Sequence, residues 1–189
     1  VTTDSKHTLP IAENLLARNF TPEAPNRVWA SDITYIATDE GWLFLTAVID
    51  LFSRHVVGWS MSPYMQTSAV TDALRMAWFR RRPAPGLVFH SDRGSQYCSH
   101  AFQDTLNEYK MKSSMSRKGN CWDNAPMESF FGTLKTELVH HRHYRTRGEA
   151  IREIREYIEI FYNRQRRHAK LGYLSPAAFQ LHYYKTKAA

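Results

Sequence analysis

Cysteine is scarce in this chain. Only Cys98 and Cys121 occur in 189 residues, with no Cys-x-x-Cys pair, so a disulfide scaffold is excluded and a reducing compartment is expected. Long apolar runs are missing too: none approaches the roughly 18 residues that a membrane-spanning helix needs, and no signal peptide opens the sequence. There is no internal repeat and no low-complexity tract. Negative charge is in deficit, with 18 Asp and Glu against 25 Lys and Arg, a net charge of +7. That balance favours a polyanionic partner such as nucleic acid, although a solvated basic face gives the same arithmetic. What is plentiful is apolar and aromatic surface, 43% and 13% of residues, too much for a disordered chain. The length suits one domain that buries its own core. A soluble, intracellular domain with no membrane association is expected. The first residue is Val1, not Met, so a longer parent chain is expected, with a segment lost ahead of Val1.

Residues 1–24 read as a linker or arm punctuated by Pro10 and Pro22, with a short helical turn expected at Ile11 to Leu16. From there the pattern changes. Val28 to Ala37 and Trp42 to Leu51 are rich in aromatic and β-branched residues around the turn Thr38-Asp39-Glu40-Gly41, which predicts a hairpin, and a third strand follows at His55 to Met61. Helical spacing then runs from Gln66 to Arg80, ended by Pro83 and Pro85. Leu87 to His90 reads as a short buried strand, Ser99 to Tyr109 as a helix, and Met111 to Met115 as another strand. Three antiparallel strands followed by strands joined through helices predict a mixed α/β sheet covered on both faces. A helix is expected to start at Asp123 or Asn124, both good caps, with Pro126 in its first turn. Another is expected from about Thr146 to Tyr162, burying Ile151, Ile154, Ile158 and Phe161.

Three carboxylates stand out. Asp32 interrupts an apolar strand, where an uncompensated charge is costly. Asp92 sits where the strand ending at His90 runs into Arg93-Gly94-Ser95, and carboxyl ends of strands in open sheets are where ligands bind. Glu128 lies near a helix start. At about 100° per residue, Met127, Phe130, Phe131, Leu134 and Leu138 form the buried stripe of that helix, while Glu128 and Lys135 share one flank. Gly132 lies between them, where the absence of a side chain lets a substrate backbone approach. If the fold gathers the three carboxylates, they repel: two unit charges about 4 Å apart cost roughly 4 kcal/mol at an effective dielectric near 20. A divalent cation resolves this. All-oxygen donors without His or Cys at ligand spacing suit Mg²⁺ or Mn²⁺, and a pair of ions can serve phosphodiester displacement.

The motifs Trp29-Ala-Ser-Asp32-Ile-Thr-Tyr-Ile, Val48-Ile-Asp-Leu-Phe-Ser-Arg54, His90-Ser-Asp92-Arg-Gly-Ser-Gln-Tyr97 and Asp123-Asn-Ala-Pro-Met-Glu128-Ser-Phe-Phe resemble the catalytic domain of OrfB-type transposases of the insertion-sequence-three family, relatives of retroviral integrases. Thirty-five residues separate Asp92 from Glu128, the spacing of that family's signature, and Lys135 falls at its basic position seven residues on. Tyr162-Asn-Arg-Gln-Arg166-Arg-His168 through Leu171-Gly-Tyr-Leu-Ser-Pro-Ala-Ala-Phe179 resembles the family's C-terminal element. The resemblance implies a ribonuclease-H-like fold with a five-stranded sheet, three antiparallel strands then two parallel. It implies a catalytic core at 25–140 and a helical extension at 141–189. It also implies that Asp32, Asp92 and Glu128 are catalytic and hold two Mg²⁺ (or Mn²⁺) ions, for nicking at transposon ends and transfer of the 3′ hydroxyl to another phosphodiester. The implied partners are double-stranded DNA, both ends and target, and further copies of the chain on that DNA, in the bacterial cytoplasm and nucleoid. A ribonuclease-H-like nuclease without strand transfer and an inactive DNA-binding module are the alternatives.

Other residues carry weaker signals. Lys135 is expected to contact phosphate, and Arg117, Lys118 and Asn124 to meet DNA from the loop and helix start beside Glu128. The stretch holding Arg164, Arg166, Arg167 and Lys170 has no acidic residue, which favours non-specific phosphate contacts. Trp122 could stack on a base, but a buried anchor is the commoner use. Asp50 suits a turn or an ion pair. His140-His-Arg-His143 lacks the partner ligands of a zinc site, so exposed histidines are expected.

Overall fold

The hairpin forms where the sequence places it. Val28–Thr38 (β1) and Gly41–Asp50 (β2) pair antiparallel with Thr38 opposite Gly41. Gly41 closes the turn at φ 101°, a conformation costly for any other residue, and the Thr38 hydroxyl donates to its carbonyl at 2.7 Å. Val56–Ser62 (β3) joins the outer side of β2. Thr67–Arg81 (α1) then crosses to Val88–Ser91 (β4), which pairs parallel to β1. Two short helices, Ser95–Cys98 (α2) and His100–Glu108 (α3), lead to Lys112–Met115 (β5), parallel to β4. This computed structural model describes residues 7–118 and 120–188, and among them the sheet order is β3-β2-β1-β4-β5, the mixed five-stranded arrangement expected.

Alternation along the strands builds two cores. Trp29, Ile33 and Val48 point to one face and pack with Val70 and Leu74 of α1 and Phe102 and Leu106 of α3. Gly58 lets α1 lie directly on β3, since a Cβ there would collide with the Ala73 carbonyl. On the other face Ala30, Ile36, Leu43 and Leu45 meet Met127, Phe130 and Leu134 of Ala125–Glu137 (α4) and Ala150 and Ile154 of Arg147–Glu156 (α5). Thr146 and Glu149 cap α5 reciprocally. After short 3₁₀ turns, Pro176–Ala188 (α6) ends the described chain.

Three expectations need correction. No helical turn forms at Ile11 to Leu16. The Leu15 and Leu16 amides donate to the Ser114 hydroxyl at 2.9 and 3.3 Å, and Met115 N–H donates to the Glu13 carbonyl, so β5 takes the groups a helical turn would have used. Neither Asp123 nor Asn124 caps α4 with its side chain: a 3₁₀ turn, Cys121–Asn124, precedes the helix, and both side chains are bonded elsewhere. Finally, α5 does not run on to Tyr162 as an α-helix but widens into a π-helical segment, Tyr157–Gln165. The wider turn rotates the buried stripe. Ile154 and Ile158 stay inside, Phe161 is 41% exposed, and Tyr157 and Tyr162 take the buried places.

Candidate active site

Asp32 sits mid-strand on β1, opposite Ala47 of β2 and on the face that α4 covers. Its Oδ1 accepts from the Ile33 amide at 2.8 Å. Burial, then the negative charge of Asp92, pushes its carboxyl up to about 8 against that hydrogen bond, and Glu128 adds a smaller push. Asp92 follows the last residue of β4, and its Oδ1 accepts from Gly94 N–H at 2.8 Å in an Asx turn. Tyr97 lies behind this pair, buried, sharing a 2.8 Å hydrogen bond with the Ser31 hydroxyl. Burial and then both aspartates push its phenol up. Glu128 is exposed in the first turn of α4. The fold therefore brings Asp32 against Asp92, with Glu128 on the adjoining helix.

Among the described residues no three His, Cys, Asp or Glu side chains are gathered tightly enough to hold a metal ion. The donor chemistry nevertheless fits a hard divalent cation: the groups are carboxylates, and the half-buried Asp32 ionises only against desolvation and like charge. A cation reverses that balance.

The backbone carrying these groups is tied by residues the sequence reading did not assign. His90, two residues before Asp92, is buried. Its Nε2 lies 3.0 Å from the Asp123 carbonyl and its Nδ1 lies 2.9 Å from the Ser114 hydroxyl. Burial lowers its pKa to about 4, so the ring is neutral, with Nε2 donating to the carbonyl and Nδ1 accepting from Ser114. Asn124 is buried, its amide donating at 3.3 Å to the carbonyl of Ser31, the neighbour of Asp32. A polar residue inside the apolar strand ending at His90 was the available signal.

The DNA-contact candidates separate. Lys135 lies with its Nζ 5.0 Å from the Tyr35 ring centre, and Tyr35 meets Trp42 edge-on. Lys118 is exposed. Arg117 is spent internally: its Nε and Nη2 donate to Asp123 at 2.9 and 2.8 Å. Arg166 likewise donates to Glu137 at 2.9 and 3.0 Å, where the Tyr157 hydroxyl also binds. Asn124 is buried, with its Nδ2 bonded to the Ser31 carbonyl and its Oδ1 without a partner among the described residues. Arg164 lines a pocket of about 580 Å³ with His55, Arg80, Arg81 and Tyr184. Arg167 and Lys170 line another, of about 610 Å³, with Arg54, Ser129, Thr133 and Tyr173. The stretch from Arg164 to Lys170 thus divides between two pockets.

Trp122 is 69% exposed, not the buried anchor expected. Asp50 is buried and accepts from the Asn26 and Phe52 amides at 3.1 and 3.0 Å, a turn role as expected, with burial raising its pKa to about 6. Among the three histidines of the 140–143 tract, His143 pairs with Asp39 at 2.8 Å, and His140 and His141 are exposed.

Comparisons with known proteins bear on the family and the fold. A family described as integrase core domain matches residues 22–121, and a second of the same description matches 128–183. The uncharacterized 31 kDa protein of insertion element IS600 from Shigella sonnei is 53% identical over 187 residues, covering 99% of this chain and 69% of that protein. Transposase InsF for insertion sequence IS3A from Escherichia coli is 50% identical over 174 residues, 92% of this chain and 60% of InsF. Among solved structures, the HTLV-2 integrase catalytic core domain in complex with magnesium superposes with a TM-score of 0.65 at 17% identity, covering 84% of this chain and 98% of that one. The catalytic core domain of BIV integrase gives 0.59 at 16% identity, covering 87% and 99%. The fold is that of retroviral integrase cores, which is ribonuclease-H-like.

Proposed function

This chain belongs to the integrase core domain family, on the side of the IS3 transposases, and from that premise we propose that Asp32, Asp92 and Glu128 are the catalytic carboxylates of a DNA transposase. As a family member it is the catalytic domain of a polynucleotidyl transferase. The observation that carries the residue assignment is Asp32: a carboxylate set into an apolar strand and burdened by burial, Asp92 and Glu128, which its one hydrogen bond from the Ile33 amide does not offset.

Asp32 and Asp92 would hold a divalent cation, with Glu128 completing the set, and two Mg²⁺ or Mn²⁺ ions are proposed. When bound, such ions activate an attacking oxygen and stabilise a leaving one. The chain's own residues orient the substrate. Water is the nucleophile for nicking at a transposon end, and the freed 3′ hydroxyl is the nucleophile for transfer; in each, a bond to phosphorus forms as that to the leaving 3′ oxygen breaks. Lys135, two turns beyond Glu128 on α4, and Lys118, on the loop before that helix, are proposed as phosphate contacts. Arg167 and Lys170 extend the grip along α4, with Arg164 in the separate pocket. DNA ends, target DNA and further copies of the chain are the proposed partners, and the bacterial cytoplasm the location. Residues 25–140 are proposed as the catalytic core, 1–24 as an arm and 141–189 as a helical extension.

The test is Mg²⁺-dependent nicking and strand transfer on DNA carrying the element's ends, with a pre-cleaved substrate included, against Glu128→Gln. Loss of both products in the variant is expected. Equal activity would remove Glu128 from the site, and cleavage without joined strands would favour a nuclease.

A further inference from the structure

β5 is an edge strand, and within segment 7–20 residues 12–16 lie along it. Covering an edge requires only contacts to that edge, such as those from Glu13, Leu15 and Leu16 to Met115 and Ser114. The segment does more. The His7 ring lies 2.9 Å from the carbonyl of Arg93, the residue after Asp92. Farther along, Asn14 Nδ2 donates to Asp123 Oδ2 at 3.0 Å and Arg18 Nε to Asp123 Oδ1 at 2.9 Å, while Arg18 Nη2 reaches Asn120 Oδ1 at 3.0 Å.

Asp123 is a hub. Its carboxylate is 1% exposed and also accepts from the Arg117 backbone amide and guanidinium. Its backbone carbonyl is bonded to His90, and its neighbour Asn124 to the carbonyl beside Asp32. Five residues downstream, on the helix this segment begins, stands Glu128. Backbone geometry points the same way. Ala17 and Arg18 both adopt left-handed conformations, at φ 45° and 64°, which non-glycine residues hold only when surroundings enforce it. The Asn14 side chain secures that bend by accepting from Ala17 N–H at 2.9 Å. The bend aims Arg18 at Asp123.

We propose that segment 7–20 is a strap that positions the catalytic carboxylates, with Arg18 and Asn14 acting through Asp123 on the start of α4. The proposal rests on the reading of Asp92 and Glu128 as catalytic. Arg18 and Asp123 are positioning residues, and neither touches the reacting atoms.

Arg18→Ala tests this in the full chain, because the Arg18 side chain is 45% exposed and its loss leaves the core intact. Strand transfer from pre-cleaved ends is expected to fall about tenfold in kcat with KM for DNA within about twofold, the pattern of a misplaced catalytic group. Arg18→Lys is expected to restore part of that loss. Hydrogen exchange of the Arg117 amide, measured without DNA or metal, is expected to quicken about tenfold in Arg18→Ala as the hub loosens. Asp123→Asn should move both readouts further in the same direction. An unchanged kcat in Arg18→Ala overturns the proposal even if exchange quickens, and a rise confined to KM overturns it by making Arg18 a DNA contact. Glu128→Gln measured in parallel separates the two readings: if it is inactive while Arg18→Ala matches the parent, only the strap fails. If Glu128→Gln is active, the site assignment fails, and an unquickened Arg117 amide then removes the strap as well.

Discussion

At the scale of single residues, Asp32 concentrates the unfavourable electrostatics of the site. Its folded pKa of about 8 lies above the ordinary 3.8, so the folded chain keeps a proton that the unfolded chain has released. The stabilisation this represents is full below 3.8 and is lost as pH rises through about 8. Without metal, Asp32→Asn is therefore expected to be more thermostable than the parent at pH 8.5, with the gap closing towards pH 4. Mg²⁺ is expected to raise the melting temperature of the parent and not of the variant. Gly132 is a second exposed test. A Cβ there would meet nothing within 4 Å, so no packing inside the chain requires glycine. Gly132→Ala should stabilise α4 by about 0.5–1 kcal/mol. If the position serves close approach of DNA, a filter-binding or anisotropy measurement will show weaker DNA binding by the more stable variant.

At the scale of elements, the strands and α1 were legible because each carries its own period, and β1, β2 and β3 lie within a residue or so of the expected ends. The π-helical segment was not legible, since its cause is remote. Asn163 donates to the Val56 carbonyl at 3.1 Å and accepts from the Val56 amide at 2.9 Å, filling the ladder positions beside the irregularity between Val48 and Ile49. The π turn carries Asn163 into that position and turns Phe161 outward. Asn163→Ala leaves both Val56 groups buried and unbonded, and a loss of roughly 2–3 kcal/mol in denaturant unfolding is expected. The start of α4 teaches the same lesson. Asp123 and Asn124 are good capping residues by type, but Arg18, Arg117 and the Ser31 carbonyl compete for their side chains and win.

At the scale of the whole molecule, the +7 charge is distributed less simply than a count of basic residues suggests. Arg117, Arg142 and Arg166 are paired with Asp123, Glu153 and Glu137, while Arg167 and Lys170 line an open groove on α4. Replacing Arg167 and Lys170 together by alanine is expected to reduce the slope of log affinity against log salt by about 1.8 for duplex DNA, two released counterions' worth. Arg166→Ala should leave that slope unchanged and lower the melting temperature, because it frees the partly buried Glu137.

The sequence by itself determined the order of the strands, the three carboxylates with their spacing, and the basic character of the chain, because each is a matter of residue type and local period. Only the tertiary structure decided which charges are spent internally. It also decided that Asn14 and Arg18 bond to Asp123 and that His90, Asn124 and Asp123 tie together the segments carrying the three proposed catalytic carboxylates. Arg18 and Asp123 are 105 positions apart, and Asn163 and Val56 are 107. No period in a sequence spans such a distance, and what a polar side chain does is set by the partner that folding brings to it.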